Sequence, residues 1–332
     1  MKCLAIVSES TIQIVEKETP QLTEGRALVK VRATALNKRD QFIRQGKYPS
    51  IQFGATLGSD GVGQVVDVND SSSQHWIGKE VIINPNINWG ENEEVQSSDY
   101  NILGMPTDGT FAEYVSVNID RLYTIPSHLN SIEAAGLPLA GLTAFRACFH
   151  QGNITAKSTV LISGFGGGVA QFAFQFAVAT GAKVFVTSSS SQKIEKAKEL
   201  GAVAGFNYKE PEWAKEASKI SGGFDVVIDS AGGDQINTLL RLMRPGGRVV
   251  FYGATNGLPK SVDLYRMFWN QLSLQGSTMG NDAEFKAMLA FVEKHKVNPL
   301  IDSVRPFDQI VSAFDDIASS NKLGKLIIEF RL

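Results

Sequence analysis

Residues 159–170 read TVLISGFGGGVA: an apolar run from Thr159 to Ile162 enters a glycine-rich turn and leaves it as a helix. A turn without side chains lets the backbone approach a bound phosphate, and the helix that follows aims unpaired N–H groups and a positive dipole end at it. This is how a dinucleotide pyrophosphate is held, so the stretch predicts a nicotinamide cofactor. The strict G-x-G-x-x-G spacing is not met, because the three positions counted back from Ala170 hold Phe165, Gly167 and Ala170. The context carries the reading instead. Val160, Leu161 and Ile162 suit a buried strand, and 169–179 (VAQFAFQFAVA) is apolar on nearly every face, as a helix covered by a sheet is. Gly164, Gly166, Gly167, Gly168 and Val169 are the candidate phosphate-loop residues.

Downstream, strand-like and helix-like segments alternate. Residues 183–187 (KVFVT) read as a strand, 192–200 (QKIEKAKEL) as a helix closed by Gly201, and 225–229 (DVVID) as a strand. A helix over 235–243 is broken by Pro245, Gly246 and Gly247 before 248–252 (RVVFY) begins the next strand. Repeated βα units predict an α/β Rossmann domain, a doubly wound parallel sheet covered on both faces. Residues 1–124 differ: short alternating runs at 27–33, 62–68 and 80–83, broken by Gly and Pro, predict an antiparallel β domain. A chain of 332 residues, 43% hydrophobic, is long for one core and suits two.

A formal charge of -2 and no basic block argue against nucleic acid as a partner. The apolar run Leu4–Val7 is too short for a signal-peptide core and no run is long enough to span a bilayer, so a soluble, cytoplasmic protein without a membrane partner is expected. Cys3 and Cys148 lie too far apart for a paired-cysteine motif and read as small buried hydrophobes. His75, His128, His150 and His295 are scattered, with no pair at ligand spacing.

Several separated motifs in a fixed order carry a family resemblance: ALVKVRATALNKRD at 27–40, GKYP at 46–49, GSDGVGQVV at 58–66, DGTFAEYV at 108–115, LPLAGLTAFRA at 137–147, the glycine turn, and GKLII at 324–328. The chain resembles the medium-chain dehydrogenase/reductase superfamily, and within it the zinc-free, quinone oxidoreductase-like branch. The resemblance implies a GroES-like β-rich catalytic domain over 1–124 and 280–332, with a Rossmann NADP-binding domain and its leading helical connection over 125–279. It implies an active site in the cleft and, from relatives that pair Rossmann sheets edge to edge, a homodimer. Zinc-dependent members place metal ligands where this chain has Asn37, Ser59 and Leu139, and of the neighbours only Asp60 is a plausible ligand. Residues 87–111 contain no cysteine for a structural zinc. No zinc is therefore expected.

The acidic residue that grips the ribose 2′-hydroxyl of NAD normally stands about 20 positions after the glycines, and here Ser188 holds that position within TSSSS at 187–191. A 2′-phosphate then meets no carboxylate, and by the resemblance Ser189, Lys193 and Tyr208 hold it, which predicts NADPH. Without a metal, charge developing on a substrate oxygen must meet hydrogen-bond donors, and the resemblance points to Asn37 and Tyr48, with Tyr48 as the candidate acid. Thr143 is placed near the nicotinamide in the same way, and Asp40 is read as structural. The segment FYGAT at 251–255, with Tyr252 and Gly253, ends a strand and is expected to pass the nicotinamide. Trp89, Tyr252, Met267, Phe268, Trp269 and Met279 suit a substrate wall, and the aromatics near MFW suit a core or dimer interface at least as well. The expected activity is zinc-independent hydride transfer from NADPH to a small electrophilic quinone or α,β-unsaturated carbonyl. The alternatives are a zinc-free alcohol/aldehyde oxidoreductase, an enoyl-thioester reductase, or an NADPH-binding sensor or crystallin-like protein without turnover.

Overall fold

The alternating N-terminal runs pair as antiparallel strands. In the computed structural model, which describes residues 1–317 and 322–330, Lys2–Ser8 (β1) and Thr11–Glu16 (β2) form a two-stranded ribbon. Arg26–Ala35 (β3) lies in a larger sheet with Val62–Val68 (β4), Glu80–Ile83 (β5), Tyr114–Asn118 (β8), Leu122–Thr124 (β9), Ile301–Pro306 (β16) and Lys325–Glu329 (β17). Asn86–Ile87 (β6) and Asn101–Ile102 (β7) pair separately. Along β3, alternate residues from Ala27 to Ala33 are buried, and then Thr34 and Ala35 are buried too. The strand thus ends inside the protein and delivers Asn37 to the interior, ahead of the helix Lys38–Arg44 (α1).

The C-terminal tail completes this unit. β17 runs antiparallel to β3 with Ile327 opposite Ala35 and Ile328 opposite Thr34. Extending that register by two residues sets Lys325 opposite Asn37. Leu4, Ile6, Ile43, Leu57, Phe111, Phe314, Leu326 and Ile328 share one core, with Phe111 and Phe314 edge to face.

Thr159–Ile162 (β10), buried at every residue, sits inside a second, parallel sheet with Lys183–Ser188 (β11), Ala204–Asn207 (β12), Phe224–Asp229 (β13), Met243–Phe251 (β14) and Ser273–Gly276 (β15). The order is β12-β11-β10-β13-β14-β15, so the winding reverses at β10, the switch point where such sheets collect ligands. The crossovers from β10 to β14 carry Gly168–Ala179 (α4), Ser191–Glu199 (α5), Trp213–Ser221 (α6) and Gln235–Arg241 (α7).

Two expectations need correction. Pro245–Gly247 do not precede the strand; they lie within β14 as a bulge, since Phe224 and Val226 of β13 oppose Met243 and Arg248. The division between the units also falls later than residue 124. One unit is Met1–Ala140 with Gly280–Leu332, the other Gly141–Met279. Residues 125–140 stay with the first because Ser131–Ala135 (α2), capped by Asn130, packs on β3, β4 and β17. The division itself lies within Pro138–Phe145 (α3). Leu264–Trp269 (α8), Asp282–His295 (α9) and Ile310–Asp316 (α10) complete the helices. No described helix is long and apolar enough to cross a membrane.

Candidate active site

The glycine turn closes on its neighbour strand through main-chain groups. Gly164 N–H donates to Thr187 Oγ1 (3.1 Å) and Phe165 N–H to the Thr187 carbonyl (2.8 Å). Gly164 and Gly166 have φ of +66° and +126°, the left-handed side that favours glycine. A Cβ on Gly164 would meet nothing within 4 Å, which leaves that backbone open to a ligand. Phe165 replaces a fingerprint glycine without filling the cradle, since its ring is buried edge-on against Phe174. Gly167 caps α4, and its first-turn N–H groups, from Gly168 and Val169, have no acceptor within the helix. The turn fits a pyrophosphate.

Around it the carboxyl ends of the strands are tied together. Asp229, fully buried, accepts from Ser163 Oγ, the Ala231 and Gly232 N–H groups (3.1 and 2.8 Å) and Gln235 Nε2 (2.9 Å). Tyr252 N–H donates to the Asp229 carbonyl (3.0 Å), and burial pushes the Tyr252 phenol up, so it stays protonated. A Cβ at Gly253 would stand 3.0 Å from the Ser230 carbonyl, so the loop is tight there. Thr143 is buried on α3 with Oγ1 3.6 Å from Met279 Sδ.

At the end of β11, Ser188 is buried; its Oγ accepts from Ser190 N–H (3.3 Å) and its carbonyl from Tyr208 N–H (3.3 Å). Ser190 caps α5, whose first turn holds no acid. Ser188, half-buried Ser189 and exposed Tyr208 therefore share one rim, while Lys193 is buried beneath it.

A second polar cluster lies in the β-rich unit. Lys325 Nζ donates to Asp60 Oδ2 (2.9 Å) and Asn37 Oδ1 (2.6 Å), and Asn37 Nδ2 donates to Asp60 Oδ2 (2.9 Å). Leu139 N–H donates to Asp60 Oδ1 (2.7 Å). The Asp60 backbone is held in turn by Thr34 and Thr110, whose hydroxyls both donate to its carbonyl. Gly58, two residues earlier, has φ +100° and lies so near Phe111 that a Cβ would meet it at 2.6 Å. Asp40 accepts the Asn37 N–H (2.8 Å), its other oxygen has no partner, and burial pushes its carboxyl up to about 6.

This cluster revises the reading of Asn37. Its amide protons go to Asp60 and, at 3.4 Å, to the Ala35 carbonyl, so neither is directed at a substrate. Asn37 acts here as a strut. Tyr48 is half-buried, and its hydroxyl accepts from Arg39. Sequence reasoning missed Lys325, although a lone lysine opening the apolar strand KLIIE was a signal. It also passed over Arg39 inside the quoted NKRD, and Tyr100. The Tyr100 hydroxyl is buried without a partner, and burial and Tyr48 push it up while Arg39 opposes them.

The donor set does not fit a catalytic zinc. Asn37 and Leu139 offer no thiolate or imidazole, and Asp60 already holds the Lys325 ammonium. Among the described residues no group of three His, Cys, Asp or Glu is placed to hold a metal. In the cysteine-free segment, Trp89 packs edge-on to Tyr100 with centroids 5.2 Å apart. Of the other aromatics considered for a substrate wall, Phe268 and Trp269 are exposed on α8.

Comparison with known proteins identifies the family. Residues 23–127 match the family model of the alcohol dehydrogenase GroES-like domain, and residues 168–294 that of zinc-binding dehydrogenases. The chain is 36% identical to the zinc-type alcohol dehydrogenase-like protein YogA of Leptosphaeria maculans, over 96% of this chain and 94% of that one. It is 30% identical to the quinone oxidoreductase of Mus musculus, over 91% and 88% of the two chains. A crystal structure of an NAD-dependent alcohol dehydrogenase superposes with a TM-score of 0.94 at 30% identity, covering 99% of each chain.

Proposed function

Because the chain belongs to the medium-chain dehydrogenase/reductase superfamily, we propose that it is an NADPH-dependent, zinc-independent reductase of a quinone or an α,β-unsaturated carbonyl. The observation that carries this reading is the buried Lys325 ammonium between Asn37 and Asp60, among the positions where zinc-dependent relatives hold their metal. The glycine turn and the acid-free start of α5 support the choice of cofactor. When bound, the reduced nicotinamide supplies hydride. The chain's own part is to orient the electrophile and to present the Tyr48 hydroxyl to the oxygen on which charge develops. Asn37, Asp60 and Lys325 hold the end of β3 and the start of α1, which carries Arg39.

Purified protein is expected to oxidise NADPH with quinones or enones faster than with aldehydes or enoyl thioesters, at a rate unchanged by chelator and with no stoichiometric zinc by elemental analysis. Zinc lost together with turnover, or a preference for aldehydes, argues for the alcohol dehydrogenase chemistry named in several relatives. Cofactor binding without turnover across the panel supports a sensor.

The active form in this proposal is a homodimer. Among the described residues β15 is the last strand of its sheet, and Tyr265, Phe268 and Trp269 on α8, just before it in the chain, are 64–70% exposed. A two-fold pairing of β15 edges satisfies the same main-chain groups in both copies and covers these rings. Light scattering is expected to give twice the chain mass for wild type and the chain mass for Trp269→Glu; a wild-type monomer refutes the dimer.

A further inference from the structure

We propose that Arg39 is a positioning residue for this reaction: it holds the Tyr48 hydroxyl oxygen as an acceptor, so that the phenolic proton faces the substrate oxygen. The proposal rests on the reading of Tyr48 as the donor. Arg39 is buried, 8% exposed, in the first turn of α1. Its donors go to Ser59 Oγ (2.5 Å), the Leu103 and Met105 carbonyls (3.1 and 3.4 Å) and twice to the Tyr48 hydroxyl, from Nη2 at 3.1 Å and Nε at 3.4 Å. None of these partners is a carboxylate. The guanidinium's hydrogen-bond acceptors are all neutral, and although its charge also draws down the Asp40 carboxyl that burial raises, no carboxylate bonds it, so the face of the fork toward Tyr48 can stabilise a charge that develops there.

Tyr48 is that neighbour. The guanidinium carbon also stands 4.8 Å from the Tyr48 ring centroid, so the ring and the hydroxyl are both registered against one cation. A phenol oxygen has two lone pairs and one proton; with both N–H groups of the fork addressing the lone pairs, the proton is left to point away from Arg39. The Tyr100 hydroxyl, buried without a hydrogen-bond partner among the described residues, lies within electrostatic reach of the same pair. As hydride reaches the electrophilic carbon, the carbonyl electron pair moves to oxygen, the Tyr48 O–H bond breaks and the substrate O–H bond forms. Both electrons arrive with the hydride, which a bound reduced nicotinamide would supply, and the Tyr48 phenolate, opposite the guanidinium, would recover a proton from water.

The test is a cycle of Arg39→Met, Tyr48→Phe and the double variant, with Arg39→Lys beside them. Arg39→Met is expected to lower kcat by about ten- to a hundredfold with KM nearly unchanged. Arg39→Lys should recover part of that loss, and Arg39→Met should do little more once Tyr48 is Phe. An equal loss in both backgrounds overturns the proposal. Should Arg39→Met fail to fold, Arg39→Lys decides, because it keeps the charge and loses the fork: wild-type kcat there overturns the proposal. A second readout needs no turnover. A nitrophenol titrated into the cofactor-saturated protein and followed by its absorbance should bind as the phenolate in wild type, and about tenfold more weakly in both Arg39→Met and Tyr48→Phe. If no electrophile is turned over, the functional reading fails, while the titration still decides the role of Arg39; equal binding in wild type and Arg39→Met ends it.

Discussion

Lys325→Met is expected to destabilise the protein by about 3–5 kcal/mol, the usual consequence of removing one partner of a buried ion pair. At about 2–4 °C per kcal/mol for a unit of this size, the thermal midpoint falls by roughly ten degrees. Lys325 and Asp60 have side-chain exposures of 2% and 0%, so solvent screens neither. Without the ammonium, the Asp60 carboxyl is left with the Leu139 N–H and the Asn37 amide, and Asn37 Oδ1 loses its donor. Lys325→Met with Asp60→Asn should recover much of the loss, because that pair leaves no uncompensated charge.

The pH dependence has a defined sign. Asp40, with its carboxyl raised from 3.8 to about 6 by burial, contributes stability in the protonated form, fully present below about 4 and lost as pH rises through about 6. Lys325 is among the charges that hold this carboxyl down, so its removal raises it further. Acidifying from pH 7 to 5 should therefore restore more stability to Lys325→Met than it adds to wild type. Calorimetric melting at the two pH values measures both effects. A loss under about 1 kcal/mol, the scale of an exposed pair, would show that the ammonium is not compensating Asp60.

What was legible in the sequence was local. An apolar run, a glycine turn and an apolar helix declare themselves within 159–179 because each rests on backbone conformation or on burial of contiguous residues, and β10 and α4 stand there. Likewise β4 and β5 begin and end where the alternation does. The bulge at Pro245–Gly247 was misread because Pro and Gly mark turns and bulges alike, and only pairing with β13 separates them. Residues 125–140 were assigned to the wrong unit since α2 is helical by sequence, while its allegiance is set by the strands it packs on. The lone lysine in KLIIE was visible, but its pairing was not: its partner Asn37 is 288 residues away, brought opposite by the β17–β3 register. The bonds of the Asn37 amide to Asp60 and the Ala35 carbonyl changed its account from a substrate donor to a strut, which no inspection of ALNKRD supplies.

Ser188→Asp is expected to reverse the cofactor preference, lowering NADPH affinity by about a hundredfold or more, as like charges brought together cost several kcal/mol. A 2′-phosphate carries about -1.5 to -2 charge at neutral pH, and a carboxylate beside it repels, whereas the same carboxylate accepts hydrogen bonds from the free ribose hydroxyls of NADH. The choice of position follows from the strand end and its bonds. Ser188 ends β11 one residue after Thr187, whose hydroxyl and carbonyl receive the Gly164 and Phe165 N–H groups, so strand end and phosphate turn are joined by direct bonds. α5 starts immediately beyond with no acid in its first turn, leaving the wild-type rim free of negative charge at that point. The substitution therefore adds to that rim the charge that NAD-binding relatives use. Isothermal calorimetry with both cofactors on wild type and variant measures the change. The fold enters as a control, since Ser188 is buried and its Oγ accepts the Ser190 N–H, a bond that a carboxylate oxygen also accepts; an unchanged melting temperature shows that the rim is intact. Equal wild-type affinity for NADH and NADPH, or a variant that binds NADPH as tightly as wild type does, removes Ser188 from the 2′-phosphate site, and the NADPH assignment with it.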